Sequence, residues 1–322
     1  MRRSNTIVVG GGPAGSACAG KLRTLGEEVL ILDQHPFPRP KVCAGWIQPS
    51  IWALLGISPA EYPLGLTRFD WIHYSVFGIK LPVKTRQYAV RRVEFDHWMI
   101  ARSRAPVVNH RVKTIVRTAD GYVIDNQFHC QYLIGAGGTH CPVYRTFFSP
   151  TNPRAEKNRI VGLESEYAGQ SPDKQCRLWF FDHGLPGYAW YLPKQGGWVN
   201  LGIGGKCLKL KTSGSTIMDH WHRFIRKLQL LSLIDSPPPP PKGHTYHLYQ
   251  PHPVTRLGNA FVVGDAAGLS TLDMGEGIQG AIASGIMAAE AIAGNREIAL
   301  GALPKFSLPG ILLAGYKHLW NK

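Results

Sequence analysis

The feature that most constrains the fold is a glycine loop between two apolar segments near the start of the chain. Residues 7–9 predict a buried strand, residues 16–25 a helix of small residues, and residues 29–32 a second strand. Asp33 ends that second strand, about 20 residues after the loop, as in the βαβ unit that binds dinucleotides. The segment therefore predicts a parallel sheet built on a Rossmann-like unit.

The loop has G-x-G-x-x-G spacing, and each of its glycines has a separate role. Gly10 makes the tight turn, Gly12 lets the backbone approach a pyrophosphate, and Gly15 lets the helix pack closely on the strand. The helix then presents free N–H groups and its positive dipole end to the phosphates. The loop alone does not distinguish NAD, NADP and FAD. The expected nucleotide contacts are Gly10, Gly12, Pro13, Ala14, Gly15 and, on the ribose, Asp33.

The composition is that of a globular protein with an excess of positive charge. The 322 residues include 36 Lys and Arg against 21 Asp and Glu, which gives a formal net charge of +15. Such an excess favours anionic partners, such as a phosphorylated substrate or an anionic membrane surface, or it is simply a basic surface. The basic residues are dispersed, without a zinc-finger or helix-turn-helix pattern, so we expect no nucleic-acid binding.

Apolar runs, cysteines and histidines bear on the compartment and on metal binding. No apolar run reaches the roughly 18 residues of a membrane-spanning helix, and the first apolar residues belong to the loop's own strand rather than to a signal peptide. The six cysteines form no C-x-x-C pair, which favours a reducing, cytoplasmic environment. His244, His247 and His252 lie in a segment expected at the surface and lack metal-ligand spacing, so we expect no metal site.

Two later segments continue the pattern of the first strand, and two others break it. Residues 132–134 and 260–263 are short apolar strands that lead into glycine-rich segments. Residues 66–92 and 158–235 instead contain stretches of alternating apolar and polar side chains, which predicts antiparallel strands. The chain therefore predicts a nucleotide-binding domain whose sequence is interrupted by a β-rich domain.

The segment after residue 263 favours a flavin. Asp265, at a strand end, can accept hydrogen bonds from the hydroxyls of a sugar or ribityl chain. The N–H groups at the start of the next helix, near Gly277, would face the negative charge that reduced flavin carries at N1 and C2=O. A helix N-terminus stabilises such an anion by up to ~2 kcal/mol. The expected contacts in this segment are Gly264, Asp265, Gly275, Gly277 and Ile278.

These motifs resemble the geranylgeranyl reductase family of FAD-dependent oxidoreductases, within the wider p-hydroxybenzoate hydroxylase-like flavoproteins. The glycine loop is similar to the family's ADP-binding fingerprint, and Gly264-Asp265 is similar to its ribityl-binding GD motif. Arg92, Phe95 and Asp96 match its R-x-x-F-D motif, whose Arg lies against the cofactor. The resemblance thus implies FAD as the cofactor, with Arg92 beside it.

The resemblance covers residues 6–294 and implies an α/β fold. A Rossmann-like FAD-binding domain is interleaved with an antiparallel β-sheet substrate domain. We expect the FAD-binding domain at residues 1–65, 88–157 and 242–295, the substrate domain at 66–87 and 158–241, and a short C-terminal tail at 296–322.

Residues 41–45 resemble the family's K-x-C-G-G loop, which lies by the flavin ring. The resemblance adds cofactor contacts at Lys41, Cys43, Ala44 and Gly45. A thiol in this loop is a candidate proton donor, against the alternative of a buried structural cysteine.

Residues 187–193 resemble the family's Y-x-W-x-F-P signature, whose aromatic residues line the cavity for the prenyl chain. Flat apolar walls suit a long alkene, although an aromatic core strand is the alternative. The expected catalytic residues are therefore Cys43, Tyr188 and Trp190.

The chain departs from the family pattern at three positions and in its tail. Ala44 replaces a glycine of the C-G-G sequence, Gly137 replaces the Asp of an A-D-G motif, and Leu192 replaces the Phe before the motif proline. Beyond residue 294 we expect a tail shorter than the family's, which leaves the cavity more open or builds it differently. Residues 303–320 are expected to cover the protein's own core, with contact to a membrane face as the alternative.

The resemblance implies an enzyme that reduces carbon–carbon double bonds of an isoprenoid by hydride transfer from reduced flavin. The expected partners are a lipophilic isoprenoid, phosphorylated or not, and, as electron donor, NAD(P)H or a reduced electron-carrier protein. No second G-x-G-x-x-G motif is present, so we expect no separate Rossmann domain for NAD(P)H, and the donor would bind transiently beside the flavin or be another protein.

Two other functions stay open at this point. Residues 188–193 are also similar to the W-x-W-x-I-P signature of flavin-dependent halogenases. A monooxygenase or halogenase would act on an aromatic or lipophilic substrate through a C4a-(hydro)peroxyflavin. The altered motif positions also allow a non-catalytic FAD-binding protein.

Overall fold

The structure, a computed structural model, consists of two eight-stranded β-sheets with helices packed against them. It describes residues 1–169, 173–251, 253–294 and 300–314. The strands are β1 (Arg2–Val9), β2 (Val29–Asp33), β3 (Trp46–Ile47), β4 (Leu66–Val76), β5 (Ile79–Val90), β6 (Val107–Asn109), β7 (Ile115–Thr118), β8 (Gly121–Ile124), β9 (Phe128–Gly135), β10 (Arg159–Ala168), β11 (Cys176–Phe180), β12 (Gly187–Lys194), β13 (Trp198–Lys206), β14 (Lys242–His247), β15 (Arg256–Leu257) and β16 (Ala260–Val262). The α-helices of the described residues are α1 (Pro13–Thr24), α2 (Pro49–Leu55), α3 (Arg92–Ser103), α4 (Cys207–Thr212), α5 (Ile217–Leu230), α6 (Ile278–Gly294) and α7 (Leu308–Ala314).

The first sheet has the strand order β15-β16-β9-β1-β2-β6, with the β7–β8 hairpin joined to it through β8. Strand β1 pairs in parallel with both β2 and β9, and β9 pairs in parallel with β16. The four apolar segments predicted as strands of the nucleotide domain, at 7–9, 29–32, 132–134 and 260–263, all contribute to this sheet. The Rossmann-like prediction is confirmed.

Helix α1 begins at Pro13, three residues earlier than the sequence predicted. Proline is well suited to the first helical position because its φ angle is already helical and its missing N–H is not needed there. Gly12 is the N-cap and provides no side-chain hydrogen bond. The first N–H groups of the helix therefore lack a side-chain cap at the place where a phosphate would bind.

Helix α6 packs directly on α1 because small residues line the contact. Gly285 of α6 lies so close to α1 that a Cβ atom there would be 2.2 Å from the carbonyl oxygen of Ala14. Ala288 and Ala289 are fully buried in the same core, which also contains Val8 of β1. This close packing brings the N-termini of both helices, at Pro13 and Ile278, to the same cavity.

The second sheet has the order β14-β10-β13-β12-β11-β4-β5-β3. Its pairs are antiparallel except for β4 with β11, so the antiparallel prediction is confirmed. Sheet membership departs from the predicted boundaries at three places. Strands β3 and β14 and residues 88–90 of β5 pair in this sheet, although residues 1–65, 242–295 and 88–157 were assigned to the nucleotide domain. Neither β3 nor β14 shows a clear alternation of apolar and polar residues, so no local pattern predicts these two strands.

The two faces of the second sheet have different partners. Helix α5, which begins with a capping box of Thr216 and Asp219, packs its buried face against one side. On the other side α7 lies along β5, where Ile311 is 1% exposed and its carbonyl oxygen accepts a hydrogen bond from Thr85 Oγ1. The described part of the C-terminal segment therefore packs on the protein's own sheet, and residues 315–322 lie outside the described residues.

We predict opposite effects for two helical glycine-to-alanine substitutions. Gly285→Ala should lower the free energy of unfolding by about 1–3 kcal/mol, since the new methyl group would overlap the Ala14 carbonyl. Gly20→Ala, in α1, should be neutral or stabilising by up to about 1 kcal/mol, because its Cβ would meet Ser103 at an ordinary 3.4 Å. Denaturant unfolding of both variants checks this, and equal effects would contradict the proposed close packing.

Candidate active site

A cavity of about 1410 Å³ lies between the two sheets. Ligand pockets for small molecules usually measure about 300–1,000 Å³, so this cavity has room for a dinucleotide and part of a second molecule. Most of the residues predicted from the sequence line it: Gly10, Gly12, Pro13, Ala14, Asp33, Lys41, Cys43, Ala44, Arg92, Tyr188, Trp190, Asp265, Gly275, Gly277 and Ile278.

Three predicted cofactor contacts do not line the cavity: Gly15, Gly45 and Gly264. These positions are glycine because neighbouring groups pack closely against the backbone there. A Cβ on Gly15 would be 1.8 Å from the Gly10 carbonyl oxygen, and one on Gly45 would be 2.1 Å from the Val90 carbonyl oxygen. Gly264 has φ +59° and packs against the side chains of Ala14 and Ala281. These residues shape the loops that border the cavity, and the sequence pattern does not separate the two roles.

The glycine loop leaves open space where a pyrophosphate would lie. A Cβ on Gly12 would meet only one atom, Arg39 Nη2 at 3.9 Å. The side-chain-free N-cap of α1 and this guanidinium face the same space. A helix N-terminus with an adjacent cation is suited to a phosphate. Arg39 was missed by the sequence analysis because it lies outside the motif.

Asp33 is held in place by the loop that it accompanies. Its carboxylate accepts the backbone N–H of Gly11 at 2.7 Å and that of His35 at 3.0 Å, and Arg39 Nη2 lies 3.4 Å away. The side chain is 5% exposed, and it lines the cavity. A carboxylate fixed in this way is preorganised to accept hydroxyl hydrogen bonds.

Arg92 forms a buried, bidentate ion pair with Asp96 one helical turn later. The two N···O distances are 2.8 and 2.9 Å. Burial works to lower the pKa of Arg92, but Asp96 and a contact with the Cys43 thiol outweigh it and raise the pKa above its usual value. Arg92 therefore connects α3 to the 41–45 loop in addition to lining the cavity.

Lys41 and His244 form a second pair inside the cavity. Lys41 Nζ lies 3.1 Å from His244 Nε2. Burial, reinforced by Lys41, lowers the pKa of His244 to about 4, and burial also lowers the pKa of Lys41. A neutral imidazole therefore accepts a hydrogen bond from the lysine. The expectation that His244 lies at the surface is wrong, because β14 carries it into the second sheet.

A polar network lies behind the cavity wall on β10, β12 and β13. Trp190 Nε1 donates to Asn200 Oδ1 at 2.7 Å, and Asn200 Nδ2 donates to Glu164 Oε1 at 2.9 Å. Burial raises the pKa of Glu164, which also lines the cavity. Lys194, whose side chain is 1% exposed, pairs with Glu166 and lowers the pKa of that carboxyl against the effect of burial. This network fixes the orientation of the Trp190 indole.

The cavity wall on β12 is aromatic because alternate side chains of a strand share a face. Tyr188 and Trp190 point into the cavity, and the ring centroids lie 5.8 Å apart. Trp190 packs over Gly202 of β13, where a Cβ would lie 1.9 Å from the indole. Tyr188 Oη donates to the Met274 carbonyl oxygen at 2.6 Å, and burial raises its pKa well above 10. Tyr188 is therefore a wall residue that stays protonated.

Glu276 lies at the N-terminus of α6 and was missed by the sequence analysis. Its Oε1 accepts the backbone N–H of Gln279 at 2.8 Å, whereas its Oε2 is buried without a hydrogen-bond partner. Burial raises the pKa of this carboxyl to about 7, although backbone N–H groups of Gln279 and Ile278 work against the rise. One of the N–H groups that we expected to face the flavin is therefore already occupied.

The arrangement fits a flavin dinucleotide. The glycine loop provides a phosphate site, and Asp33 and Asp265 provide hydroxyl acceptors. Glu276, whose Oε2 is buried without a hydrogen-bond partner, lines the same cavity. Within residues 1–169, 173–251, 253–294 and 300–314, no group of three His, Cys, Asp or Glu side chains is placed to hold a metal ion. No helix in the described part of the chain is both long and apolar enough to cross a membrane.

We predict a pH-dependent effect of Glu276→Gln on stability. With a raised pKa, the folded protein holds the Glu276 proton more tightly than the unfolded chain does, so this stability is complete below pH 4.5 and is lost as the pH rises through about 7. At about 1.36 kcal/mol per pH unit, the substituted protein should gain about 3 kcal/mol relative to the wild type across this interval. Unfolding measured from pH 4 to 8 tests this. Glu290→Gln, at an exposed site on α6, is the control, and parallel profiles for wild type and Glu276→Gln would contradict the prediction.

Several proteins with a similar sequence are named as reductases. A family model for an NAD(P)-binding Rossmann-like domain matches residues 8–40. A digeranylgeranylglycerophospholipid reductase of Methanosphaera stadtmanae is 27% identical and covers 89% of this chain and 77% of the relative. A menaquinone reductase of Mycolicibacterium smegmatis is 25% identical, with coverages of 89% and 76%.

Solved structures agree on the fold. A geranylgeranyl bacteriochlorophyll reductase-like protein from Thermoplasma acidophilum has a TM-score of 0.79 and 20% identity, and the match covers 99% of this chain and 83% of that one. A flavin-dependent brominase has a TM-score of 0.70 and 17% identity, with coverages of 91% and 79%, so the fold by itself does not separate reductases from halogenases. In its motifs, its cavity and its named relatives, the chain is similar to the geranylgeranyl reductases among the flavin-dependent oxidoreductases.

Proposed function

We propose that the protein binds FAD and reduces carbon–carbon double bonds of an isoprenoid lipid. The observation that supports this most is the continuity of one cavity, which is lined at one end by the glycine loop and at the other by Tyr188 and Trp190. Two relatives are named for reductases of a digeranylgeranyl lipid and of menaquinone. An apolar aromatic wall suits a prenyl chain, which offers no hydrogen bonds.

Different residues would bind different parts of the cofactor. Gly12 and the start of α1 would bind the pyrophosphate, Asp33 the adenosine ribose, and Asp265 the ribityl chain. The chemistry that FAD supplies when bound is hydride transfer to one carbon of the alkene. Two contacts hold the 41–45 loop against the same space, that of Arg92 with Cys43 and that of Lys41 with His244. The protein contributes orientation and a cavity that excludes water.

We propose that Cys43 provides the proton for the second alkene carbon. Its side chain lines the cavity between Lys41 and Ala44 and is half-buried. The Gly45 N–H lies 3.4 Å from the sulfur, and Arg92 contacts the thiol. These contacts fix the direction of the side chain. Glu276 and Glu164, whose pKa values are both raised, also line the cavity.

The proposed function is tested by anaerobic reaction of the reduced protein with a prenyl lipid. The protein is purified, reconstituted with FAD and reduced with dithionite. Digeranylgeranylglycerophospholipid or menaquinone is then added in detergent. We expect flavin reoxidation together with a product heavier by one H₂ for each double bond. The donor is proposed to be NAD(P)H or a reduced carrier protein, and each can replace dithionite in the same assay.

Three outcomes would contradict this proposal. A protein that cannot be reconstituted with FAD would exclude a flavoenzyme. Hydroxylated or halogenated product, formed only with oxygen or with oxygen and halide, would favour a monooxygenase or halogenase. Reduced flavin that persists with every prenyl lipid would favour a non-catalytic FAD-binding protein.

We predict that Cys43→Ser lowers the rate of alkene reduction at least about 100-fold, the effect typical of removing a general acid. Hydride transfer without the acid leaves the second carbon unprotonated, whereas flavin binding should be unchanged. Single-turnover reoxidation of dithionite-reduced protein measures the rate. Cys18→Ser, at a buried cysteine away from the cavity lining, is the control. A normal rate in Cys43→Ser with a large loss in Glu276→Gln would transfer the role to Glu276.

A further inference from the structure

The tip of the β4–β5 hairpin exposes large apolar side chains to solvent. Phe77 is 75% exposed and Ile79 is 67% exposed. Phe77 stacks on Phe181, which follows β11, with the ring centroids 5.1 Å apart and the planes 19° from parallel. Leu81 is also exposed and lies two residues after Ile79, on the same face of β5. Contiguous apolar side chains of this size at a protein surface mark an interaction site.

The hairpin tip lies at the mouth of the active-site cavity. Ile79 pairs with Val76 and Leu81 pairs with Tyr74, and Val76, Leu81 and Tyr74 line the cavity. The exposed apolar surface therefore continues directly into the cavity wall.

Aromatic rings continue this surface inward from Phe181. The Phe180 ring lies 6.1 Å from that of Phe181 and is stacked 5.0 Å from that of Tyr188. Tyr188 in turn contacts Trp190. Apolar contacts thus lead from solvent to the residues beside the 41–45 loop.

The outer part of the hairpin, beyond Asp70 of β4, carries positive charge and no negative charge. Residues 71–86 include the cations Lys80, Lys84 and Arg86 but no Asp or Glu. Lys80 and Lys84 are exposed and pair with Ser75 and Trp71, on the face of the hairpin away from the cavity. An apolar tip flanked by cations is suited to an anionic lipid surface, where the apolar groups enter the acyl boundary and the cations contact headgroups.

We propose that the β4–β5 hairpin and Phe181 dock the protein on an anionic lipid bilayer, with the cavity mouth against the membrane. A second copy of the chain is a poor occupant, because it would bring the same cations and a net charge of +15 against each other. A lipophilic substrate could then pass from the bilayer to the aromatic wall without crossing water. This last step rests on the proposed function, whereas the docking itself does not.

Vesicle flotation tests the docking surface. The FAD-reconstituted full chain is mixed with vesicles of phosphatidylglycerol and phosphatidylcholine in equal parts, or of phosphatidylcholine alone. We expect the wild type to float with the anionic vesicles and to be released by high salt. The double variant Phe77→Glu, Ile79→Glu should bind at least about tenfold more weakly, since two apolar anchors become anions.

The matched control is Leu230→Glu. Leu230 is 87% exposed on α5, which packs on the opposite face of the second sheet, and its substitution should leave vesicle binding unchanged. Equal far-UV circular dichroism and flavin content would show that both variants fold. Phe77 and Ile79 do not line the cavity, so prenyl reduction in detergent should be equal in the double variant and the wild type. Reduction of substrate embedded in anionic vesicles should fall in the double variant alone.

Several results would overturn the docking proposal. These are equal flotation of the double variant and the wild type, equal binding to neutral and anionic vesicles, or no vesicle binding by the wild type. Conversion of a dimer to a monomer by the double substitution, seen in sedimentation velocity, would instead assign the tip to self-association. Absence of prenyl reduction in detergent would defeat the proposed function and leave the vesicle result intact.

Discussion

The close packing of α6 on α1 is the contact on which the rest of the site depends. Gly285 lies against the Ala14 carbonyl, and Gly264 lies against the Ala14 side chain. Two glycine-rich segments that are about 250 residues apart in the sequence thereby share one wall of the cavity. Any side chain larger than hydrogen at Gly285 would separate the helices and with them the loop at Gly12 and the carboxylate of Asp265.

The second sheet shows how one strand serves two environments. Ala189 and Tyr191 of β12 pack towards α5, whereas Tyr188 and Trp190 face the cavity. The cavity face is apolar at its surface. Behind it lies a polar network in which Asn200 accepts a hydrogen bond from the Trp190 indole and Lys194 pairs with Glu166. Burying an ion pair such as Lys194–Glu166 rarely adds stability over apolar packing. Its benefit here is a fixed direction for the aromatic wall.

The sequence predicted the parts of the structure that depend on local pattern. The βαβ unit and the Gly264-Asp265 segment were recognisable because strand, turn and helix each leave a signal within a few residues. Strand β14 and the pairs made by His244 and Glu164 were not, because their partners lie far away in the sequence. The raised pKa of Glu276 also depends on burial, which no motif encodes. Gly15, Gly45 and Gly264 show a second limit of sequence-based prediction. Close packing and cofactor contact both require glycine, so the residue type does not tell which of the two roles a position has.

The strand order of the first sheet has a consequence for how the chain folds. Strand β9 pairs on one side with β1, about 130 residues before it, and on the other with β16, about 130 residues after it. Contacts of such long range slow folding because large loops must close before any pairing energy is gained. During synthesis the glycine loop therefore emerges long before α6, which completes its wall. The cavity wall is complete only after α6 has left the ribosome.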